Sequence, residues 1–152
     1  MLFGNSRLEP DMNARLLYRI AAVVLVLFAV GHTAGFLSFR PESAEGLAVF
    51  NAMNGVHFDF NGAARSYAEF YKGFGLQVTA YLLFSALLSW HLGGLAASQP
   101  RAIGMLAWAF VIVQLAVLVL SALYFFIVPT VMSAVIFVCL LWAAWLLRKA
   151  AT

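Results

Sequence analysis

The feature that most constrains this chain is an uncharged run from Ala102 to Leu147, bounded by Arg101 and Arg148. As a single helix, at about 1.5 Å per residue, the run would reach roughly twice the thickness of a bilayer's hydrocarbon core. It must therefore turn back once. Pro129 marks the predicted turning point, because proline is disfavoured inside a helix but suits a first helical turn. We predict two membrane spans here, at residues 102–126 and 129–148.

Two further charge-free stretches, Ile20–Phe39 and Gly73–Pro100, predict two more spans at about residues 16–39 and 66–97. The composition agrees, because 64% of the 152 residues are hydrophobic and only 10% are charged. A water-soluble domain of this length would have too little polar surface to cover itself. The sequence therefore predicts an all-α fold, a four-transmembrane-helix bundle forming a single membrane domain over residues 1–152.

The basic residues that flank these spans predict their orientation. Lysine and arginine in short flanks mark the cytoplasmic side of a membrane. Three flanks agree, with Arg7, Arg15 and Arg19 in the first, Arg101 in the second, and Arg148 and Lys149 in the third. We predict a multi-pass protein of the bacterial inner membrane with both termini in the cytoplasm. A secretory signal peptide is the competing interpretation of residues 1–35, but no small-x-small cleavage site follows its apolar core.

The segment between the first two spans, residues 40–65, is predicted to form an external cap. Leu47, Phe50 and Met53 recur on one face of a short helix, and Asn61-Gly62 predicts a turn before the second span. The turn around Pro129 is uncharged and lacks the polar residues of a solvated loop. We therefore expect the cap to be ordered and packed over the external helix ends. An aromatic belt at headgroup depth is the alternative interpretation, and the two are compatible.

An imidazole lies inside the first span. His32 stands in "GHTAGF", next to Gly31 and Gly35, a GxxxG pair that predicts close helix packing. An ionisable residue in a span is costly to expose to lipid, so His32 should face the bundle and form a hydrogen bond there. It either makes one structural bond or serves as a ligand-binding or proton-handling group.

Polar residues of the second and third spans supply the other candidate ligand-binding positions. Arg65, Glu69, Gln77 and Tyr81 belong to a row with intervals of four or eight, which drifts around the helix by about 40° for every four residues. A site built from His32, Arg65, Glu69 and Gln77 is geometrically possible. The alternative for Arg65 and Glu69 is an i,i+4 ion pair at the interface. Gln114, near mid-membrane, needs a partner on another helix or a ligand.

Several classes of site find no support in the sequence. The single Cys139 excludes the paired cysteines of quinone-linked thiol oxidoreductases. The three histidines lack metal-ligand spacing, so we expect no metal and no cofactor. No nucleophile motif or phosphate loop is present. Without a basic stripe interleaved with aromatic residues, nucleic acid is not an expected partner.

Two motifs, "GHTAGF" at the end of span one and "RSYAEFYKGFGL" at the start of span two, carry a resemblance. The chain resembles a family of small, uncharacterised bacterial four-helix membrane proteins with GHTxGF-like and RSYxxFYxGFGL-like signatures. The resemblance implies the fold over nearly the whole chain but no activity. Ala68 stands where the family often has tryptophan. In layout alone, the chain is also similar to the emopamil-binding (EXPERA) proteins, which bind sterols or other apolar ligands through cavities with acidic residues. Here Glu69 is the only carboxylate that approaches the spans, which argues against isomerase chemistry.

Two non-catalytic functions fit these observations equally well. One is binding of an apolar ligand such as a membrane lipid or a quinone, and the other is an accessory subunit of a larger membrane complex or a homo-oligomer. The alternative is a membrane-embedded enzyme that acts on a lipophilic substrate through His32 and Glu69.

Overall fold

The computed structural model describes residues 8–151, and the side chains of residues 13–149. Five helices and one β-hairpin follow one another along the chain: α1 (Leu8–Ser38), α2 (Ala44–Gly55), β1 (His57–Phe60), β2 (Ala63–Ser66), α3 (Tyr67–Leu95), α4 (Pro100–Tyr124) and α5 (Ile127–Ala151).

Four of the helices are long and apolar enough to cross a membrane: Asn13–Ser38 within α1, then α3, α4, and Ile127–Lys149 within α5. They agree within a few residues with the four predicted spans, which confirms the all-α fold. The chain is a multi-pass membrane protein. Arg7, one of the predicted orientation signals, lies outside the described residues.

The turn between α4 and α5 lies at Phe125-Phe126, and Pro129 is the third residue of α5. Phe125 has an extended backbone conformation, and its N–H donates to the carbonyl oxygen of Ser121 at 3.1 Å. Pro129 removes no hydrogen bond from α5, because the first N–H groups of a helix have no intrahelical acceptor. Pro129 therefore lies in the first turn of the helix, as the sequence predicts, but the chain turns three to four residues before it, at Phe125-Phe126.

The segment between α1 and α3 is ordered and contains the predicted short helix, together with a β-hairpin that was not predicted. Its helix α2 begins after Ser43, whose hydroxyl accepts the backbone N–H of Gly46. A two-stranded hairpin follows, with His57 paired to Ser66 and Phe60 paired to Ala63. Asn61 and Gly62 form its two-residue turn with φ of +55° and +81°, the left-handed pair that favours Asn-Gly.

Aromatic rings attach this hairpin to α3. The ring of Phe58 lies 5.0 Å from the ring of Tyr67 and 5.8 Å from that of Phe70. Phe70 in turn contacts Phe74 edge-on, with 4.8 Å between centroids. Such pairs contribute beyond the area they bury, so the hairpin is anchored to the first turns of the helix that follows it.

Contacts divide the chain into two compact units. The core unit comprises residues up to Phe28 and from Leu82 onwards, and the cap unit comprises Ala29–Tyr81. In the core unit, the hydroxyl of Ser89 donates to the carbonyl oxygen of Tyr18 at 2.8 Å and joins α3 to α1. The hydroxyls of Ser121 and Ser133 lie 3.3 Å apart and join α4 to α5, both in buried positions.

Candidate functional site

A cavity of about 590 Å³ lies within the cap unit, between α2, the end of α1 and the first turns of α3. We call it the cap pocket. Its volume is in the range of sites that hold one drug-sized molecule. Apolar and aromatic side chains make up most of its wall, among them Phe36, Phe39, Val49, Phe50, Met53 and Tyr71.

Four polar side chains complete the lining of the cap pocket, namely Arg40, Asn54, Glu69 and Lys72. The guanidinium carbon of Arg40 lies 4.8 Å from the centre of the Phe50 ring, and its Nη1 donates to the carbonyl oxygen of Phe39 at 3.1 Å. The Asn54 amide nitrogen donates to the carbonyl oxygen of Phe50 at 2.7 Å. The pocket thus combines an apolar wall with two cations and one carboxylate, an arrangement suited to an amphiphile.

Glu69 is held by a capping box at the start of α3. The backbone N–H of Ser66 donates to Glu69 Oε2 at 2.8 Å, and the backbone N–H of Glu69 donates to Ser66 Oγ at 3.1 Å. This reciprocal pair satisfies two N–H groups that the helix start would otherwise leave without acceptors. The pattern S-x-x-E in "SYAE" is the sequence signal of this capping box, which was not among the predictions above.

The ion pair considered for Arg65 and Glu69 does not form among the described residues. Arg65 lies on strand β2, before α3 begins, so the two residues are not i,i+4 neighbours on one helix. The Arg65 Nη1 instead donates to the carbonyl oxygen of Ala64 at 2.9 Å.

His32 makes a hydrogen bond to a second helix, as the sequence predicts. Its Nε2 donates to the carbonyl oxygen of Gly75 on α3 at 3.1 Å. The imidazole also stacks on Phe36, one turn further along α1, with ring centroids 5.3 Å apart. His32 is half-buried. Its two contacts are thus a backbone carbonyl on α3 and an aromatic ring on α1.

Two threonines extend this polar contact between α1 and α3. The Thr33 hydroxyl lies 2.7 Å from the carbonyl oxygen of Ala29 and 2.7 Å from the Thr79 hydroxyl, which lies 3.2 Å from the carbonyl oxygen of Gly75. Each hydroxyl has one proton. The shorter contacts are all satisfied when Thr79 donates to Thr33 and Thr33 donates to Ala29. His32 is then the donor to Gly75.

At Gly75, α3 packs closely against a side chain of α1. A Cβ at Gly75 would lie 2.7 Å from the ring of Phe36. The Phe36 ring also contacts Tyr71 edge-on, 6.4 Å between centroids, and both side chains line the cap pocket. His32 thus contacts the pocket wall through Phe36 but is not part of that wall itself. Neither Gly75 nor Phe36 was predicted from the sequence as part of a site.

The close packing predicted for Gly31 and Gly35 is absent from the described chain. Both residues are exposed, and a Cβ at either would meet no atom within 4 Å. The helix face that carries them is turned away from α3, since His32, Thr33 and Phe36 make the contacts with that helix.

The remaining predicted site residues do not join His32. Gln77 is exposed, and Tyr81 is 69% exposed. Side chains two residues apart on a helix point about 200° apart. Because Gly75 faces α1, Gln77 points away from α1. Gln114 is buried in the core unit, where its Nε2 has no hydrogen-bond partner among the described residues. The structure therefore brings together His32 and Gly75 in one contact, and Glu69 with Arg40 and Lys72 around the pocket.

The fold defines an α-helical, multi-pass membrane protein with an ordered segment between its first two spans and a partly polar pocket between that segment and the adjoining ends of the two spans. No protein-family model, curated protein or solved structure matches the chain. Among the described residues, no three His, Cys, Asp or Glu side chains are grouped as a metal site would require.

Proposed function

We propose that this protein is a non-catalytic lipid-binding protein, in which the cap pocket holds an apolar or amphiphilic membrane molecule. The single observation that carries this proposal is the cap pocket itself, with a volume of about 590 Å³ and a largely aromatic and aliphatic wall. Concave apolar sites with a few convergent polar groups are the usual form of small-molecule sites.

The position of the cap pocket along the chain supports a ligand taken from the bilayer. Most residues between 36 and 41 line it, where the span in α1 ends at Ser38, and so do most residues between 68 and 72, where the span in α3 begins at Tyr67. Span ends lie near the headgroup region of a bilayer. We propose a bacterial inner membrane with both termini cytoplasmic, which directs the pocket to the outer leaflet.

Native mass spectrometry of the full chain, purified in a mild detergent, tests this function. The expected result is a co-purified lipid or quinone in one-to-one stoichiometry. Met53→Trp should fill part of the pocket and reduce the bound fraction, because Met53 is part of the wall.

Leu47→Trp is the matched control, because Leu47 lies on α2 but outside the pocket lining. Equal retention by the two variants, or absence of any bound molecule from the wild-type chain, would contradict the proposal.

A second candidate function, an accessory subunit or homo-oligomer, is favoured by the open face at Gly31 and Gly35. Small residues at this spacing allow close approach of another membrane helix. Gly35→Leu should then reduce recovery of a cross-linked complex from intact membranes while lipid retention by the cap pocket is unchanged.

The geometry gives less support to an enzyme that uses His32 and Glu69 together. Gly75, the acceptor for His32, is six residues from Glu69 on α3, or about 9 Å along the helix axis. The two side chains have different partners, the carbonyl oxygen of Gly75 and the backbone N–H of Ser66. The His32 contact joins α1 to α3, and the Glu69 contact caps the start of α3.

A further inference from the structure

We infer that the ligand of the cap pocket is a membrane phospholipid whose phosphodiester binds between Arg40 and Lys72. This inference rests on the proposed lipid-binding function and specifies the chemistry of the ligand. It follows from the charges of the pocket, from the contacts that hold Arg40 at its wall, and from the position of the pocket near the ends of two spans.

Arg40 is held at the pocket wall in a way that leaves most of its donors for a ligand. A guanidinium has five N–H groups. The only acceptor it meets among the described residues is the carbonyl oxygen of Phe39. Its position beside the Phe50 ring restricts the side chain further, because a cation is attracted to an aromatic face. A planar guanidinium with free donors is well matched to a phosphate.

Lys72 supplies the second cation from α3, and Glu69 supplies the only carboxylate of the lining. Glu69 Oε2 already accepts the backbone N–H of Ser66, so part of its hydrogen-bonding capacity is used within the protein. The lining retains one positive charge in excess. A ligand that carries a phosphodiester would balance this charge, whereas the uncharged head of a quinone would leave it uncompensated.

The orientation of the chain gives a second reason to assign these cations to a ligand. Basic residues concentrate in cytoplasmic flanks, where they determine topology. In the proposed orientation Arg40 and Lys72 are on the opposite side and have no such role. Their proximity to the ends of two spans puts them at headgroup depth, beside an aromatic wall that suits the first part of an acyl chain.

The test compares phosphatidylglycerol with diacylglycerol of the same acyl chains, each added to the delipidated full chain in detergent and measured by native mass spectrometry. The wild-type chain should retain phosphatidylglycerol in clear preference to diacylglycerol. Arg40→Gln and Lys72→Gln should each reduce phosphatidylglycerol retention about tenfold, the effect of losing one charged hydrogen bond. Diacylglycerol retention should not change.

Arg65→Gln is the matched control, because Arg65 is an exposed cation of the same cap unit that does not line the pocket. It should retain phosphatidylglycerol as the wild-type chain does. Arg40→Lys keeps the positive charge and should retain more phosphatidylglycerol than Arg40→Gln. This comparison separates loss of binding from loss of folding.

Three outcomes would overturn the inference. Equal retention of the two lipids would refute phosphate recognition while lipid binding by the pocket stands. Displacement of phosphatidylglycerol by millimolar inorganic phosphate would indicate a site for free anions. Failure of both lipids to bind the wild-type chain would refute the proposed function as well.

Discussion

Gly75 allows close packing within the cap unit, since the ring of Phe36 occupies the space that a Cβ at Gly75 would need. We expect Gly75→Ala to lower the free energy of unfolding by about 1–3 kcal/mol, the usual cost of overpacking. The ring would have to leave its stacked position on His32. Thermal unfolding in one detergent measures this change.

Gly73→Ala is the control for this prediction, because a Cβ at Gly73 meets no atom within 4 Å. In the same helix it should be neutral or slightly stabilising, because alanine has a higher helix propensity than glycine. Equal effects of the two substitutions would show that Phe36 does not occupy the position described.

The capping box gives a second prediction at this scale. Ser66→Ala should destabilise the chain by about 1 kcal/mol, because it removes the hydroxyl that accepts the backbone N–H of Glu69. Glu69→Gln should have a smaller effect, since glutamine can replace glutamate in a capping box. Comparison of the two unfolding midpoints measures this. A larger loss for Glu69→Gln would show that the charge of Glu69 has a role beyond capping.

Residue-scale contacts were the least predictable from sequence. The acceptor for His32 is a backbone carbonyl, which every residue carries, so no side-chain pattern indicates Gly75. The close packing predicted for Gly31 and Gly35 is likewise not found among the described residues. In a membrane, the lipid-facing side of a helix is as apolar as its packed side. The sequence therefore did not show whether Gly31 and Gly35 face another helix of the chain or the lipid. The capping box, by contrast, was available in the sequence.

Among the elements, the hairpin β1–β2 determines how α2 is joined to α3. Gly62 has φ of +81° in its turn, a conformation that strains any residue with a Cβ except asparagine and aspartate. Gly62→Ala should therefore speed amide hydrogen exchange in His57–Phe60 and Ala63–Ser66, whereas Gly62→Asn should have little effect.

Gly55→Ala serves as the control for the hairpin. Gly55 is the last residue of α2, has no positive φ, and a Cβ there meets no atom within 4 Å. Hairpin exchange that is unchanged in Gly62→Ala would show that the turn does not determine strand pairing.

The long helices were predictable because their lengths are imposed by the bilayer. The uncharged run after Arg101 had to be divided, and proline limited where the second helix could begin. The hairpin was missed even though Asn61-Gly62 was recognised as a turn. The strands on either side have four residues each, too few for their alternation to be distinguished from a helix start.

At the scale of the whole molecule, the proposed orientation gives a prediction about chemical access. In a Cys139→Ser background, a membrane-impermeant thiol reagent should label Asn51→Cys in intact cells. Ser98→Cys, in the connection between α3 and α4, should be labelled only after the membrane is permeabilised. Both positions are exposed. The reverse pattern would place the cap pocket in the inner leaflet.

The central claim is that the cap pocket holds a phospholipid, and site mapping with a photoreactive phospholipid that carries a diazirine near its headgroup tests it most directly. After irradiation of native membranes, we predict that cross-links concentrate in peptides containing Phe39, Phe50 and Met53, and that Met53→Trp removes them. Cross-links spread evenly over α4 and α5, and unaffected by Met53→Trp, would contradict the account.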